Sequence, residues 1–548
     1  MNKLKWQAAL RAPVLGAALA LLAWPGAALA DWYRADSDHF IVYADDSWRD
    51  IEDFTKDLER FHVAMARTTA TDVTVPSPSN RVTIYVVRNA REVREIHGGD
   101  SKYLNGFYLP RAGGSLAIVP RIGSGSSTSD IAMITLLHEY AHHFLISAQR
   151  QQMPRWVSEG GAEFFASVNF LKDGTVQIGR AAQHRGYELF NAEPVPVEEL
   201  LDPAVYEARE HKRYDAFYGR AWLLYHYLTF SKERAGQLTA YLRALGSGTD
   251  EREAALQVFG DFDALDDELG HYLRQRRIMM MELKASSVPT GKIAITQLSE
   301  GEGEVMPRRI RSKRGVDLEQ ARELLGEVRE IAAAYPDDPG VLSVLAEAEH
   351  DAHNYQAAVD AADRAIALDP TRTNAYVQKG YALFALARDT EGTGPERAEA
   401  YKRAREPFIA LNRIENDHPL PLVWFYRSYV ESGKDPSELA LRGLVRASEL
   451  APFDLDLQMQ VALALIPAGY QDVAAYHLGP VAHNPHGGSG AAAARALLER
   501  LEREPKWDGK DIGAVMAQAF ADPEEDAPLP GPESAPEGEK PDGKASHD

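Results

Sequence analysis

The sequence predicts an α+β domain, built from a small sheet and a helical lobe, followed by an all-α solenoid of helical repeats. Three observations support this fold class. Runs rich in β-branched and aromatic residues flank a helical segment near the start of the chain. Helical periodicity dominates afterwards, and prolines recur at nearly regular intervals in the C-terminal part.

Residues 1–30 have the features of a signal peptide. The basic residues Lys3, Lys5 and Arg11 precede an apolar run at Ala12–Trp24, and Ala28–Ala30 has the small-residue pattern of a cleavage site. The apolar run is too short to favour a spanning helix. We therefore expect cleavage after Ala30 and a periplasmic or secreted protein without a stable membrane span.

The composition limits the chemistry and the partners of the chain. There are no cysteines, which excludes disulfides, thiolate zinc sites and a cysteine nucleophile. The formal net charge is −21. This acidity argues against nucleic acid or an anionic membrane as a partner, because both bind basic surfaces. Patterns along the chain predict a signal peptide at 1–30, an N-terminal domain at 31–285, a polar linker at 286–315, helical repeats at 316–505 and an acidic, proline-rich, disordered tail at 506–548.

The N-terminal domain is expected to begin with the small sheet. His39–Tyr43 and Arg81–Val87 have the composition of strands, and the segment Ile51–Arg67 between them has helical spacing. Gly106–Leu109 and Ser115–Val119 are expected to form a strand pair around a turn. Helices should dominate from there to the end of the domain.

The C-terminal half is expected to contain tetratricopeptide-like repeats. Helix-ending prolines recur near the 34-residue period that is typical of such repeats, with one longer interval. They are Pro339, Pro370, Pro419, Pro452 and Pro485. The repeats predict binding of a protein partner through a concave surface, and the alternative is a folded solenoid without a dedicated partner.

The pattern His138-Glu-x-x-His142 predicts a metal centre. On a helix the two histidines project from one face and can share an ion. Glu139 then lies beside the ion, where a general base for a bound water must stand. Glu159 as a third ligand would leave the fourth tetrahedral position open, which is typical of catalytic zinc.

Glu163 follows Glu159 by one helical turn and lies on the same face. Its carboxylate would be placed to accept the second imidazole N–H of His138 or His142 and thereby to orient the ring. The alternatives are that Glu163 is itself the metal ligand or is an ordinary surface acid. The two glycines that follow Glu159 leave space for close helix approach and favour Glu159 as the ligand.

These motifs carry a resemblance to a known family. His138-Glu-x-x-His142, with Pro154-Arg-Trp-Val-Ser-Glu159-Gly-Gly-Ala-Glu163, resembles the gluzincin clan of metallopeptidases. In detail it is similar to the peptidase-MA-like domains of exported bacterial proteins, which are also found with C-terminal tetratricopeptide repeats. The resemblance implies a zincin-like fold, one Zn²⁺ ion and Glu159 as its third ligand. It further implies hydrolysis of a peptide or protein substrate by a zinc-activated water, with Glu139 as the general base.

The resemblance also implies a donor that stabilises the tetrahedral oxyanion. Tyr218 is the candidate, because its segment precedes a helix that should pack against the ligand helices. Tyr214 and His226 are alternatives, and Tyr218 could equally be a core tyrosine. In zincins an edge strand holds extended substrate by main-chain pairing, and Ser115–Val119 is the nearest strand upstream of the motif.

The leading hypothesis is therefore an exported zinc metallopeptidase whose repeats recruit a partner or a substrate. The alternative is a catalytically inactive or structural zincin domain on a scaffold protein whose repeats carry the function. The complete ligand set weighs against this alternative. Hydrolysis of a non-peptide amide, such as a cell-wall crosslink, would use the same residues and stays open.

Overall fold

The computed structural model describes residues 32–99, 104–121, 130–148, 153–209, 215–390, 394–484 and 487–520. The predicted signal peptide at 1–30 lies outside these residues. Within the described part of the chain, no helix has both the length and the apolar character needed to cross a membrane.

A six-stranded mixed sheet forms the centre of the N-terminal domain. Its order is β4-β5-β3-β2-β1-β9, with β2, β3 and β5 parallel and the other neighbours antiparallel. A second sheet has the order β6-β7-β8. The strands are β1 (Trp32–Asp36), β2 (Phe40–Asp45), β3 (Val82–Val87), β4 (Phe107–Leu109), β5 (Leu116–Pro120), β6 (Asn169–Phe170), β7 (Val176–Ile178), β8 (Met281–Leu283) and β9 (Ala294–Gln297).

The position of β5 corrects one expectation. Ser115–Val119 was expected to supply an edge strand, but β5 lies between β3 and β4. Its main-chain groups are paired on both sides, for example Ala117 with Ile84 and with Tyr108. The strand at this edge of the described sheet is β4.

Helices cover both faces of the main sheet. Phe40, Val42 and Ala44 of β2 join one core with the helices that follow, whereas Tyr43 packs on the opposite face. This alternation follows from the two-residue period of a strand. The helices up to the end of this domain are α1 (Trp48–Thr69), α2 (Ala90–His97), α3 (Ile131–Ala148), α4 (Arg155–Ala166), α5 (Gly186–Asn191), α6 (Val197–Leu201), α7 (Pro203–Glu207), α8 (Phe217–Phe230), α9 (Gln237–Gly246), α10 (Glu251–Phe259), α11 (Phe262–Leu273) and α12 (Glu300–Arg314).

The prediction of a polar linker at 286–315 is wrong, because this segment is part of the folded N-terminal domain. It contains β9, which pairs with β1 in the main sheet, and α12, which packs against that sheet. Met306 and Ile310 of α12 are buried in the same core as Tyr43 and Tyr85. The polar composition concealed this structure, because few residues of α12 are apolar: Met306 and Ile310 join the core of the sheet, and Val305 joins a core of the repeats.

Close packing of α4 against α8 depends on Gly160. A Cβ atom at this position would lie 2.4 Å from the main-chain oxygen of Ala221. Real side-chain atoms do not approach a carbonyl oxygen so closely, and backbone cannot move aside as a flexible side chain can. The glycine therefore sets the distance between the two helices.

Gly160→Ala is expected to lower the free energy of unfolding by about 1–3 kcal/mol through overpacking, even though alanine favours a helix by about 1 kcal/mol. Urea unfolding followed by circular dichroism measures this change. Gly326→Ala is the matched control, because Gly326 lies on an exposed face of a helix with open space around its Cβ position. That variant should be unchanged or slightly more stable. Equal destabilisation of the two variants would contradict the packing argument.

The C-terminal half consists of helices that pack against their neighbours in sequence, in agreement with the predicted all-α repeats. Pro339 and Pro419 correct the proline interpretation, because each begins a helix, where a missing N–H is harmless. Pro407 lies inside a helix, and Pro485 is outside the described residues. The helices are α13 (Leu318–Ala334), α14 (Pro339–Asp351), α15 (Tyr355–Leu368), α16 (Thr373–Arg388), α17 (Pro395–Ile414), α18 (Pro419–Glu431), α19 (Glu438–Leu450), α20 (Leu455–Leu465), α21 (Gln471–Ala482), α22 (Gly488–Arg503) and α23 (Ile512–Phe520).

The first part of the expected disordered tail, 506–520, is folded. Trp507 is buried at 2% exposure in the repeat core, and its indole N–H donates to Asp511 at 2.6 Å. The helix α23 follows directly. Residues 521–548, which hold most of the acidic and proline-rich sequence, lie outside the described residues.

The repeats dock against the N-terminal domain. The ring of Phe453 lies 4.3 Å from the ring of His143 on α3. The main-chain N–H of Ala112 donates to the Asp454 carboxylate at 2.7 Å, and the Ser79 hydroxyl donates to Glu415 at 2.6 Å. The motif helix α3 is therefore held between the sheet and the repeats.

Candidate metal centre

Three side chains from two adjacent helices converge on one point. His138 and His142 lie on α3, and their Nε2 atoms are 3.1 Å apart. The Oε2 atom of Glu159 on α4 is 3.4 Å from the Nε2 of His138 and 3.5 Å from that of His142. These side chains form a group in which each offers one ligand atom to a shared ion.

The distances within this triangle fit a zinc ion. Zinc bonds to nitrogen and oxygen are about 2.0–2.2 Å long, so a tetrahedral ion holds its ligand atoms about 3.3–3.6 Å apart. The two edges to Glu159, 3.4 and 3.5 Å, lie in this range, and the edge of 3.1 Å between the histidines is about 0.2 Å shorter. His138 and Glu159 are 2% and 0% exposed, and a cation would compensate the buried carboxylate. The residues therefore fit a tetrahedral divalent ion with one position open.

Local sequence places the ligands. The Asp130 carboxylate accepts the main-chain N–H of Ala132 at 3.0 Å, which caps the start of α3. The spacing of four residues then brings His138 and His142 to one face. Gly160 allows α4 to lie close to α8. Glu159, the residue before it, is buried and faces the two histidines of α3.

Glu163 lies behind His138. Its Oε1 atom is 3.1 Å from the Nδ1 of His138, a close ionic contact without the alignment of a full hydrogen bond. His184 contacts the other carboxylate oxygen at 2.5 Å, and Arg185 donates to Oε1 at 2.5 Å. The structure thus places Glu163 against the ring nitrogen that faces away from the ion position.

The charges around His138 favour a cation. Burial alone would lower the pKa of His138, but the carboxylates of Glu159 and Glu163 outweigh burial and raise it to about 10. Burial would raise the pKa of Glu163, but the charges of Arg185 and His184 hold it well below its usual range. Glu163 therefore stays ionised and can orient His138.

Glu163→Gln is expected to weaken zinc binding by about 10–100-fold, because the neutral amide no longer orients His138 or raises its basicity. Competition titration against a fluorescent zinc indicator measures the affinity. Glu253→Gln, an exposed acid on α10, is the control and should bind zinc like the wild type. Equal affinities in all three proteins would show that Glu163 does not support the centre.

Four side chains around the ligands carried no signal in the sequence. The Ser158 hydroxyl lies 3.1 Å from the Nδ1 of His142. Arg185 bridges Glu163 to Glu188, and Glu188 accepts the main-chain N–H of Gly219 at 2.5 Å. Ser158 lies on α4 and Glu188 on α5, whereas His184 and Arg185 lie in a short 3-10 helix, Gln183–Arg185. This network connects His138 to the start of α8.

Glu139 is half-buried on α3. Burial raises the pKa of Tyr108 on β4 above its usual range, and the nearby charge of Glu139 raises it further. The Glu139 carboxylate therefore lies close to the edge strand. A base in this position is separated from His138 by about 100° around the helix.

The structure places Tyr218 beside the ligand helices. Burial raises its pKa above the usual range, and the charge of Glu159 raises it further. The Arg185 guanidinium lies 4.8 Å from the centre of its ring. Of the alternatives, Tyr214 is outside the described residues. His226 is fully buried and bonds to the Gly179 oxygen at 2.8 Å and to the Tyr272 hydroxyl at 2.9 Å, which makes it a core residue.

The fold and this geometry define a mixed α/β domain with a candidate metal centre, joined to helical repeats. Residues 131–248, which include α3 and α4, match the model of a family described as "Protein of unknown function (DUF1570)". No curated protein sequence is significantly similar to the chain.

The solved structures that are similar to the chain include TPR proteins. A thermophilic TPR protein from Thermus thermophilus is 17% identical over 40% of this chain and 98% of its own, with a TM-score of 0.29. YrrB, described as a TPR protein with an unusual peptide-binding site, is 17% identical over 36% and 93%, with a TM-score of 0.27. MamA from Desulfovibrio magneticus is 20% identical over 32% and 90%, with a TM-score of 0.24.

Proposed function

We propose that this chain is an exported zinc-dependent hydrolase, a metallopeptidase with a zincin-like N-terminal domain and tetratricopeptide-like repeats that recruit protein. The observation that carries the proposal is the triangle of ligand atoms from His138, His142 and Glu159. Its edges of 3.1, 3.4 and 3.5 Å suit one tetrahedral ion with a position left for water or substrate.

Each residue of the centre has a role in this proposal. His138, His142 and Glu159 would hold the ion, which supplies Lewis acidity to a water and to the scissile carbonyl. Glu139 accepts the proton of the attacking water and returns it to the leaving nitrogen. Glu163 holds the His138 ring in the orientation and tautomer that ligation needs.

Tyr218 is the proposed oxyanion donor. Because burial and Glu159 raise its pKa, the phenol keeps its proton at neutral pH and is able to donate a hydrogen bond. The bond from Gly219 to Glu188 fixes the adjacent residue of α8. The start of that helix is thereby held relative to the ligands.

The edge strand β4 is proposed to hold extended substrate in place of β5. Tyr108 on this strand is near Glu139, so a peptide paired with β4 would run past the general base. The repeats are proposed to bind protein partners or substrates, as helical solenoids with concave surfaces do.

Metal removal tests the function. Purified protein is expected to contain about one zinc ion per chain by inductively coupled plasma mass spectrometry and to hydrolyse members of a peptide library. Dialysis against a chelator should abolish hydrolysis, and stoichiometric Zn²⁺ should restore it. A zinc-loaded protein that cleaves no peptide would instead support the scaffold alternative, in which the repeats carry the function.

A further inference from the structure

A cavity of about 270 Å³ lies between the candidate metal centre and the repeats. The N-terminal domain contributes Ile146, Met153 and Ser158 to its lining, and α19–α21 form the opposite wall, with Leu455, Val473 and Tyr476 among the lining residues. Its volume is close to the lower end of known ligand pockets, so one large side chain and its main chain would fill it.

This cavity adjoins the metal ligands. Ser158, which lines it, lies 3.1 Å from the Nδ1 of His142. Ile146 is one helical turn after His142 and packs against the cores of both domains. Because the Nε2 of His142 faces the ion position, a group bound in the cavity would lie on the Nδ1 side of this ligand, separated from the ion by the width of the His142 ring.

The two walls are fixed relative to each other. Phe453 contacts the ring of His143, and Asp454 accepts the Ala112 N–H, both immediately before the start of α20. Within the repeat wall, His477 and Gln458 are bonded to each other at 2.5 Å and are almost fully buried. The cavity is thus a preformed space between docked domains.

The lining combines polar side chains, among them Glu449, His477 and Asn484, with an apolar part that favours an apolar group. Val473 and Tyr476 on α21 are 42% and 52% exposed, whereas Ala474 and Leu478 on the inner side of the same helix are 0% exposed. These two side chains form an aliphatic and aromatic surface together with Leu455, Ile146 and Met153. Covering this surface with a large apolar side chain would release the most hydrophobic free energy, because that energy grows with the apolar area buried.

We propose that the repeats form one wall of the substrate cleft, and that the cavity binds a large aliphatic or aromatic side chain of a peptide substrate close to the scissile bond. This inference rests on the proposed function and deepens it. The repeats would then set the side-chain preference of the centre directly, in addition to recruiting protein.

The test uses the full-length, zinc-loaded protein and an equimolar decapeptide library read by mass spectrometry. Val473→Trp fills the cavity and is expected to lower kcat/KM at least about tenfold for peptides with leucine or phenylalanine at the selected position, while peptides with alanine there are unaffected. Tyr476→Ala enlarges the cavity and should shift the preference to larger side chains. Val430→Trp, at a valine that is 50% exposed on α18, is the matched control and should behave like the wild type.

The outcomes separate this inference from the proposed function. If the wild type cleaves peptides and Val473→Trp keeps the same preference, the cavity assignment is overturned while the hydrolase stands. If the wild type cleaves nothing, the proposed function fails. The cavity assignment is then tested by measuring the Kd of a fluorescein-labelled decapeptide that contains phenylalanine for the zinc-loaded protein. A tenfold weaker Kd in Val473→Trp supports the assignment, and an unchanged Kd overturns it.

Discussion

Glu139→Gln is expected to lower kcat/KM for peptide hydrolysis by about 10²–10⁴-fold, the contribution typical of a general base. Glutamine has the same shape but cannot accept the proton of the attacking water. Because Glu139 is not one of the three residues of the ligand group, zinc content should stay at the wild-type value. The measurement is hydrolysis of a cleaved library peptide together with metal analysis of the same sample.

The control for this experiment is Glu95→Gln. Glu95 lies on α2 with 59% of its side chain exposed and pairs with Arg91 at 2.7 Å. Its neutralisation should leave kcat/KM and zinc content unchanged. Full activity of Glu139→Gln would remove this residue from the mechanism, and loss of zinc from that variant would mean that Glu139 acts on the ion and not on water.

Glu159→Gln should lose zinc. The carboxylate is buried between α3 and α4 and lies within 3.5 Å of both histidine nitrogens. An amide oxygen carries no charge and is a poor ligand for this ion, so affinity should fall more than about 100-fold, beyond the range for residues behind the ligands. Hydrolysis should fall with zinc occupancy, and added Zn²⁺ should restore it only at high concentration.

A surface acid provides the comparison for Glu159. Glu207, at the end of α7, is exposed, and Glu207→Gln should bind zinc with wild-type affinity. Zinc binding by Glu159→Gln that equals this control would contradict the ligand assignment. Glu163 would then have to be tested as the third ligand, since it lies one turn further along α4.

The candidate site was predictable from sequence only where its geometry is local. His138 and His142 are neighbours on one helix, so their spacing alone brings them together. For the third ligand the sequence left Glu159 and Glu163 as alternatives, because a turn separates the two helices; the glycines after Glu159 and the resemblance favoured Glu159. His184 and Arg185 were not predictable, since they reach Glu163 from a short 3-10 helix whose position depends on tertiary packing.

The same distinction applies to the fold. His39–Tyr43 and Arg81–Val87 have alternating or apolar sequences that correspond to β2 and β3. The strand Ala294–Gln297 is mostly exposed and polar, so its sequence lacks the signal that marks a buried strand. The helix α12 contains Gly301, Gly303 and Pro307, which disfavour a helix locally. Gly301 is required where it lies, because a Cβ there would be 2.7 Å from the ring of Tyr335.

The pairing of β9 with β1 means that the sheet is completed by chain that follows the helical lobe. During synthesis, about 260 residues are added between the end of β1 and the start of β9, so β1 has no partner on its outer side until they are complete. A polypeptide truncated after residue 285 would retain the candidate metal ligands but leave β1 as an open edge, and it would lack Met306 and Ile310 over Tyr43 and Tyr85. Open edges and uncovered aromatic surface are the usual origins of aggregation. The N-terminal domain is therefore not expected to fold as an isolated fragment that ends at residue 285, and its boundary lies beyond α12.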